Sequence, residues 1–185
     1  MDQLKELNDY YIETKRLYLK QFETDNINEI YLSALNNNDV VGLTEARHKT
    51  WNRKNVEEYI KDTNESDNAT LIGIFLRNNN KPIGNIRLFN IHYIHKRAEL
   101  GIMLYDKSQW GYGYGSEALK AVCDFAFNKI GLHRIVADYY KENVASSKIF
   151  KKVDFIVEGI FNDHFYYNDK YTDSIRVGLI NHKEH

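Results

Sequence analysis

Three glycines spaced two residues apart constrain the fold of this chain more than any other feature. Gly111, Gly113 and Gly115 lie between two apolar tracts. The tract before them, RAELGIMLY at 97–105, is typical of a strand, and SEALKAVCDFAFNKIG at 116–131 has an apolar face at helical spacing. Glycines before a helix let the backbone approach a ligand, and the helix start offers unpaired N–H groups. The pattern therefore predicts a strand, a turn and a helix whose N-terminus suits a phosphate or pyrophosphate.

The glycine spacing disfavours two familiar nucleotide-binding motifs. It is GxGxG rather than GxGxxG, because Ser116 stands where the third Rossmann glycine would be, and the chain has no GxxxxGK[ST] motif. On the glycines alone, a coenzyme loop and a plain chain reversal are equally well supported, so the surrounding sequence has to distinguish them.

Periodicity along the chain predicts strands and helices in an α+β order. Strands are expected at 15–22, 69–77, 83–92, 97–105, 134–140, 155–165 and 171–180, and helices within 24–39 and at 56–62, 116–131 and 146–152. Asn26 and Glu29 have capping-box spacing for the first helix. The order predicts one domain over residues 1–185, with a single, mostly antiparallel sheet flanked by helices and a β-α-β crossover at 97–140.

Composition narrows the class of protein. The 25 basic and 26 acidic side chains leave a net charge of −1, so nothing directs the chain to nucleic acid or to an anionic membrane. Cys123 is the only cysteine, which excludes an internal disulfide, and no apolar run approaches the length of a membrane span. The charged N-terminus does not resemble a secretory signal, so a cytoplasmic location is expected. The seven histidines lack zinc-binding spacing, and no metal site is expected.

Several tracts together resemble one family. WGYGYGSEA at 110–118 resembles the coenzyme-binding signature of the GNAT superfamily of acetyl-CoA-dependent N-acetyltransferases. NVAS at 143–146, followed by FKKVDF at 150–155, is similar to a second motif of the family, and RAELG at 97–101 is similar to the strand before its loop. The resemblance runs from about residue 13 to 180 and is closest to the branch of ribosomal-protein and spermidine N-acetyltransferases.

The resemblance implies a cosubstrate and a slot that binds it. In this family the strand before the glycine loop splays from the next strand, here near 134–140. The V-shaped slot in the mixed sheet then takes the pantetheine arm of acetyl-CoA. A backbone N–H near Met103 to Tyr105 is expected to polarise the thioester carbonyl. The residues expected to bind acetyl-CoA are Met103, Leu104, Tyr105, Trp110, Gly111, Tyr112, Gly113, Tyr114, Gly115, Ser116, Asn143 and Ser146.

The implied reaction is direct transfer of the acetyl group to a primary amine in a ternary complex. Three classes of acceptor stay open: a polyamine, an amino sugar and a protein N-terminus. Trp51, Tyr59 and Tyr166 are expected to wall the acceptor site, although aromatic side chains serve packing more often than recognition. Family habit also implies a homodimer.

The proton transfers are assigned to residues near the slot. An alkylamine with a pKa of about 10.4 must lose a proton before it attacks, and Glu99 is the predicted base. The competing interpretation of Glu99 is a surface carboxylate that opposes Arg97 or Arg87 across a hairpin. Phe150 stands where many relatives carry a tyrosine acid, so Ser146 is the predicted proton donor to the leaving thiolate. The same departure leaves open a rival function, a non-catalytic CoA-binding module.

Overall fold

The computed structural model describes residues 10–182, which form one eight-stranded sheet with helices packed against it. The strands are β1 (Tyr11–Glu13), β2 (Leu17–Gln21), β3 (Thr70–Leu76), β4 (Pro82–His92), β5 (Arg97–Leu104), β6 (Arg134–Tyr140), β7 (Ile156–Tyr167) and β8 (Lys170–Ile180). The α-helices are α1 (Glu29–Leu35), α2 (Asn38–Val41), α3 (Arg53–Glu65), α4 (Tyr114–Asn128) and α5 (Val144–Lys152). The strands lie in the order β1-β2-β3-β4-β5-β6-β8-β7, and neighbours are antiparallel except for β5 and β6.

The first helix begins later than its predicted cap. The Asn28 side chain accepts the N–H of the third helical residue at 2.8 Å, so α1 begins at Glu29. The prediction of Asn26 as the cap is wrong, because its side chain accepts the N–H of Glu23 at 2.9 Å in a 3₁₀ turn before the helix. Both Asn26 and Asn28 have a side chain that can cap a helix, but only Asn28 directly precedes the apolar helix.

Helix α3 is longer than the predicted segment 56–62. Asn52 and Asn55 each accept the other's backbone N–H, at 3.0 Å and 2.9 Å, and this reciprocal cap starts the helix at Arg53. Within residues 10–182, no helix combines the length and the apolar character that a membrane span requires.

The sheet carries an apolar layer on each face. Helices α4 and α5 supply Leu119, Cys123 and Phe150 to one layer. Cys123 is only 2% exposed, and burial raises the pKa of its thiol, so this side chain acts as a small apolar residue. Helices α1 and α3 supply Tyr31 and Ile60 to the other layer, which lies over β2, β3 and the adjoining strands.

Strands β5 and β6 separate along their length. They pair in parallel only where residues 97–99 face residues 134–136, although β5 continues to Leu104 and β6 to Tyr140. On its other edge, β6 pairs with β8 along its whole length, from Arg134 to Tyr140. The sheet therefore opens into a V between β5 and β6, and the predicted α+β fold with a splayed, mostly antiparallel mixed sheet is confirmed.

Candidate active site

A cleft of about 600 Å³ opens where β5 and β6 separate. Its lining includes six residues predicted from the sequence: Met103, Leu104, Trp110, Gly111, Asn143 and Ser146. They come from the end of β5, the glycine loop and the start of α5, which are far apart along the chain. The V of the sheet thus brings the two predicted motifs onto one cavity.

The glycine loop has the geometry of an anion site. Gly111 and Gly113 have φ of +83° and +82°, in the left-handed region that glycine adopts without strain. The first helical hydrogen bond of α4 runs from the Glu117 N–H to the Gly113 carbonyl at 3.1 Å. The N–H groups of residues 114–116 therefore precede the helical ladder and add to the partial positive charge at the start of α4.

Two cations flank this loop, and neither was predicted from the sequence. A guanidinium nitrogen of Arg16 and the ammonium of Lys152 each lie 3.7 Å from the position that a Cβ would take on Gly113. Arg16 is fixed because its Nε donates to Glu117 at 2.6 Å and its Nη1 donates to the Tyr112 carbonyl at 2.8 Å. Both cations belong to adjacent basic pairs in the sequence, but only the fold shows that they meet at the loop.

The end of β5 offers one backbone N–H to the cleft. The Tyr105 N–H donates to the Ile83 carbonyl at 3.1 Å, and the Tyr105 side chain is buried. Because successive backbone groups alternate in direction along a strand, the Leu104 N–H points away from β4 and into the gap. The Leu104 carbonyl points the same way, since it accepts from the Trp110 indole N–H at 2.8 Å. Among the predicted residues Met103 to Tyr105, Leu104 is therefore the one whose backbone N–H can donate to a ligand in the cleft.

The start of α5 places a hydroxyl in the cleft. The Asn143 side chain caps the helix by accepting the Ser146 N–H at 2.9 Å. The Ser146 hydroxyl has no hydrogen-bond partner within residues 10–182, so it is free to donate to a ligand. Phe150 is 3% exposed and packs against Tyr139 and Phe155, with ring centroids 5.8 Å and 5.1 Å apart. Phe150 is thus part of the core rather than of the cleft.

Glu99 lies outside the lining of the cleft. Its carboxylate accepts from the Asn90 amide at 3.1 Å and lies 3.8 Å from the Arg176 guanidinium. Its cationic partner is therefore on β8, and not Arg97 or Arg87 as the competing interpretation had it.

Within the described chain, two other carboxylates line the cleft. Asp39 receives a hydrogen bond from Lys107 at 2.6 Å, and this bond and the nearby positive charge hold the pKa of Asp39 below its usual range. Glu142 directly precedes Asn143, and the Thr172 hydroxyl donates to its carboxylate, at 2.7 Å and 2.8 Å from the two oxygens. Glu142 forms no ion pair within 4.0 Å in residues 10–182, although its charge helps to raise the pKa of the neighbouring Lys141. Glu142 was not predicted from the sequence.

The predicted acceptor aromatics do not line the cleft. Trp51 and Tyr59 line a second space, here called the side cavity, of about 510 Å³ between α3 and β4. Their rings meet edge to face with centroids 5.7 Å apart. Tyr166 is 56% exposed, and its neighbour Tyr167 lines the cleft instead.

A hydrogen-bonded cluster of Glu45, Arg47 and Tyr140, here called the clamp, joins the segment before α3 to the far wall of the cleft. The Arg47 guanidinium donates to the Tyr140 hydroxyl at 3.0 Å and to the Tyr166 carbonyl at 2.7 Å. The Tyr140 hydroxyl in turn donates to Glu45 at 2.6 Å. Burial and this hydrogen bond to Glu45 raise the pKa of Tyr140, which keeps the hydroxyl protonated. The clamp holds residues 38–48 beside the cleft.

Comparisons with known proteins agree with this geometry. A family model described as an acetyltransferase (GNAT) domain matches residues 16–156. The probable N-acetyltransferase YjcK of Bacillus subtilis is 32% identical over 130 residues, which cover 70% of this chain and 71% of that protein. A spermidine N(1)-acetyltransferase of Escherichia coli is 31% identical over 100 residues, covering 54% of this chain and 53% of the enzyme.

A solved structure shows the same fold. It is that of RimL, a ribosomal L7/L12 alpha-N-protein acetyltransferase in complex with coenzyme A. The two structures superpose with a TM-score of 0.81 at 20% identity, over 92% of this chain and 98% of the other. The family model spans well over half of the chain, and the sequence relatives point to the same branch that the motifs predicted. The chain is therefore a member of the GNAT family of acetyltransferases.

Proposed function

We propose that this protein transfers the acetyl group of acetyl-CoA to a primary amine by direct attack in a ternary complex. One observation carries the proposal. A single cleft joins the glycine loop before α4, the backbone at the end of β5 and the free hydroxyl of Ser146. These are an anion site, a hydrogen-bond donor for a carbonyl oxygen and a proton donor, in the order in which an acyl-CoA would meet them.

The residues present fit a CoA-type cosubstrate. The N–H groups of residues 114–116 suit the pyrophosphate. Lys152 adds a positive charge beside them, and Arg16, which pairs with Glu117, adds a guanidinium nitrogen. The gap between β5 and β6 suits an extended pantetheine arm, and Asn143 lines the same cleft. The coenzyme A in the RimL structure supports this assignment.

Deprotonation of the amine requires a carboxylate near the slot. An alkylammonium with a pKa of about 10.4 is almost wholly protonated at neutral pH. We assign the base to Glu142, because it lines the cleft, as Ser146 does, and its side chain accepts from the neutral Thr172 hydroxyl rather than from a cation. Glu99, the base predicted from the sequence, is the competing candidate, and it would have to act through water because Asn90 and Arg176 already engage it.

The remaining groups stabilise the attack and the departure. The Leu104 N–H donates to the carbonyl oxygen as negative charge develops there. The amine nitrogen forms its bond to the carbonyl carbon while the carbon–sulfur bond breaks and the electron pair leaves on sulfur. Glu142 takes one proton from the ammonium before the attack. As the amide forms, its nitrogen loses a second proton to Ser146 while Ser146 passes its own proton to the thiolate, because Phe150 lies in the core, so the hydroxyl is restored and one proton is released in all.

Replacing Lys152 with Ala should raise the KM for acetyl-CoA about two- to fivefold and leave kcat unchanged, because an exposed charge contact contributes about 0.5–1 kcal/mol. The difference from the unmodified protein should shrink at high salt, since salt screens the lost charge. Lys148→Ala, an exposed lysine on the same helix that is not among the groups nearest the Gly113 position, is the matched control and should behave as the unmodified protein. An equal change in both variants would remove Lys152 from the coenzyme site.

Release of free thiol from acetyl-CoA tests the proposed activity. The acceptor panel contains spermidine, an amino sugar and a peptide with a free N-terminus, and the acetylated product is identified by mass. Thiol release that depends on an amine is the expected result. Acetyl-CoA that raises the Tm but releases no thiol with any amine would favour the rival function, a non-catalytic CoA-binding module.

An apolar edge supports a homodimer. Strand β7 is at one end of the sheet, so its outer backbone groups have no partner strand in the described chain. Ile156, Val157, Ile160 and Phe161 on this strand are all exposed, between 44% and 60%. A second copy that pairs along β7 would cover both the edge and these side chains.

A further inference from the structure

We propose that the acceptor amine also carries an anionic group, a carboxylate or a phosphate, which Arg87 binds in the side cavity. This inference rests on the proposed acetyl transfer and narrows its substrate class. A polyamine, which carries only positive charge, is correspondingly disfavoured as the acceptor.

The Arg87 guanidinium lies over two aromatic rings and has no carboxylate partner among the described residues. Its guanidinium carbon lies 5.0 Å from the ring centroid of Phe89 and 5.6 Å from that of Tyr59. Its Nε is buried and has no hydrogen-bond partner, and within residues 10–182 no carboxylate oxygen lies within 4.0 Å of the guanidinium. No described carboxylate neutralises this cation, so an anion that enters the side cavity would meet an unpaired positive charge.

The space beside Arg87 leads toward the cleft. Arg87 lies opposite Gly101 in the pairing of β4 with β5, and a Cβ on Gly101 would meet no atom within 4 Å. Met103, two residues farther along β5 and on the same face, lines the cleft. At about 3.4 Å per residue, the distance along the strand from Gly101 to Met103 is about 7 Å. A single extended molecule can therefore place an anion at Arg87 and an amine at the cleft.

The carboxylates near the side cavity do not neutralise Arg87. The Glu58 side chain is 61% exposed on α3, and Asp62 on the same helix is also exposed, so both lie at the rim. Glu99, next to Gly101 on the same face of β5, is occupied by Arg176. Glu58 and Asp62 line the cavity but neither pairs with Arg87, so an ammonium group placed against the Arg87 guanidinium would be repelled.

The chemistry of the side cavity suits a planar or tetrahedral oxyanion. A guanidinium can donate two parallel hydrogen bonds to a carboxylate or a phosphate, and the flanking aromatic rings fix its plane. Lys49 adds a second positive charge, with its Nζ 5.7 Å above the Trp51 ring. A carboxylate and a phosphate can both accept these hydrogen bonds, so the experiment has to distinguish the two anions.

The test compares acceptors in the full-length protein by thiol release. The acceptors are a diamine, an amino carboxylate and an amino phosphate of matched length. An anionic amine should have the lowest KM, and Arg87→Gln should raise that KM about tenfold or more while the KM for acetyl-CoA stays unchanged. Arg87→Glu should invert the preference toward the diamine. Arg53→Gln, an exposed charge on α3 outside the cavity, is the matched control and should change neither KM.

The possible results distinguish the inference about Arg87 from the proposed acetyl transfer. A diamine that is the best acceptor of the unmodified protein, or a KM for the anionic amine that Arg87→Gln does not change, would overturn the inference. A preference between the carboxylate and the phosphate identifies the anion. No thiol release with any amine would instead contradict the proposed transfer itself. An unchanged rise in Tm on adding acetyl-CoA to both Arg87 variants shows that they remain folded.

Discussion

Replacing Glu142 with Gln should lower kcat by about 10²- to 10⁴-fold, the usual contribution of a general base, and leave the KM for acetyl-CoA unchanged. Glutamine keeps the shape of the side chain and an oxygen that still accepts from Thr172, but it cannot take the proton of the amine. Steady-state rates measured over a series of acetyl-CoA concentrations give both kcat and the KM.

The matched control for this change is Glu99→Gln. Glu99 lies outside the lining of the cleft and is engaged by Asn90 and Arg176, so its substitution should leave kcat within about threefold. A large fall in kcat with Glu99→Gln and a small one with Glu142→Gln would reverse the assignment and restore the base predicted from the sequence.

Replacing Gly113 with Ala should weaken acetyl-CoA binding about tenfold or more, because its Cβ would stand in the space where the coenzyme phosphates approach the start of α4. That Cβ would lie 3.7 Å from both Arg16 and Lys152, so it would come between the two cations and their anion. At φ of +82° the alanine also costs about 1 kcal/mol in stability. The rise in Tm on adding acetyl-CoA, and the KM for acetyl-CoA, measure the loss.

Gly131→Ala separates backbone strain from ligand contact. Gly131 has φ of +76° and lies just after the end of α4, away from the cleft, and no atom would touch its Cβ. Both variants should therefore lose similar stability, whereas only Gly113→Ala should lose coenzyme affinity. Equal affinities for acetyl-CoA in the two variants would show that the glycine loop is a chain reversal and not a coenzyme site.

The parts of the site that depend on local sequence were predictable. Gly111 and Gly113 need left-handed backbone, and the helix after them has unpaired N–H groups, whatever the rest of the chain does. The Asn143 cap and Ser146 likewise follow from residues three apart on one helix. The exact start of α1 was not predictable, because neighbouring asparagines have equal cap chemistry.

The parts that depend on how distant elements meet were not predictable. Glu99 is on the predicted strand, but the strand's pairing puts it beside Arg176 rather than in the cleft. No sequence motif marks Glu142, and only the opening between β5 and β6 places it in the lining of the cleft. Trp51 and Tyr59, expected at the acceptor site, share the side cavity beside β4, where we propose that the anion of the acceptor binds, and not the opening of the V. Register, splay and helix placement are tertiary properties that no local pattern encodes.

Initial rates measured while acetyl-CoA and the amine are varied together test direct transfer most closely. Direct attack in a ternary complex predicts lines that intersect in double-reciprocal plots, and no acetyl group on the protein when the amine is absent. The buried Cys123 thiol, the one cysteine of the chain, is consistent with this expectation. Parallel lines, together with an acetyl group that stays on the protein after the coenzyme is removed, would contradict direct transfer.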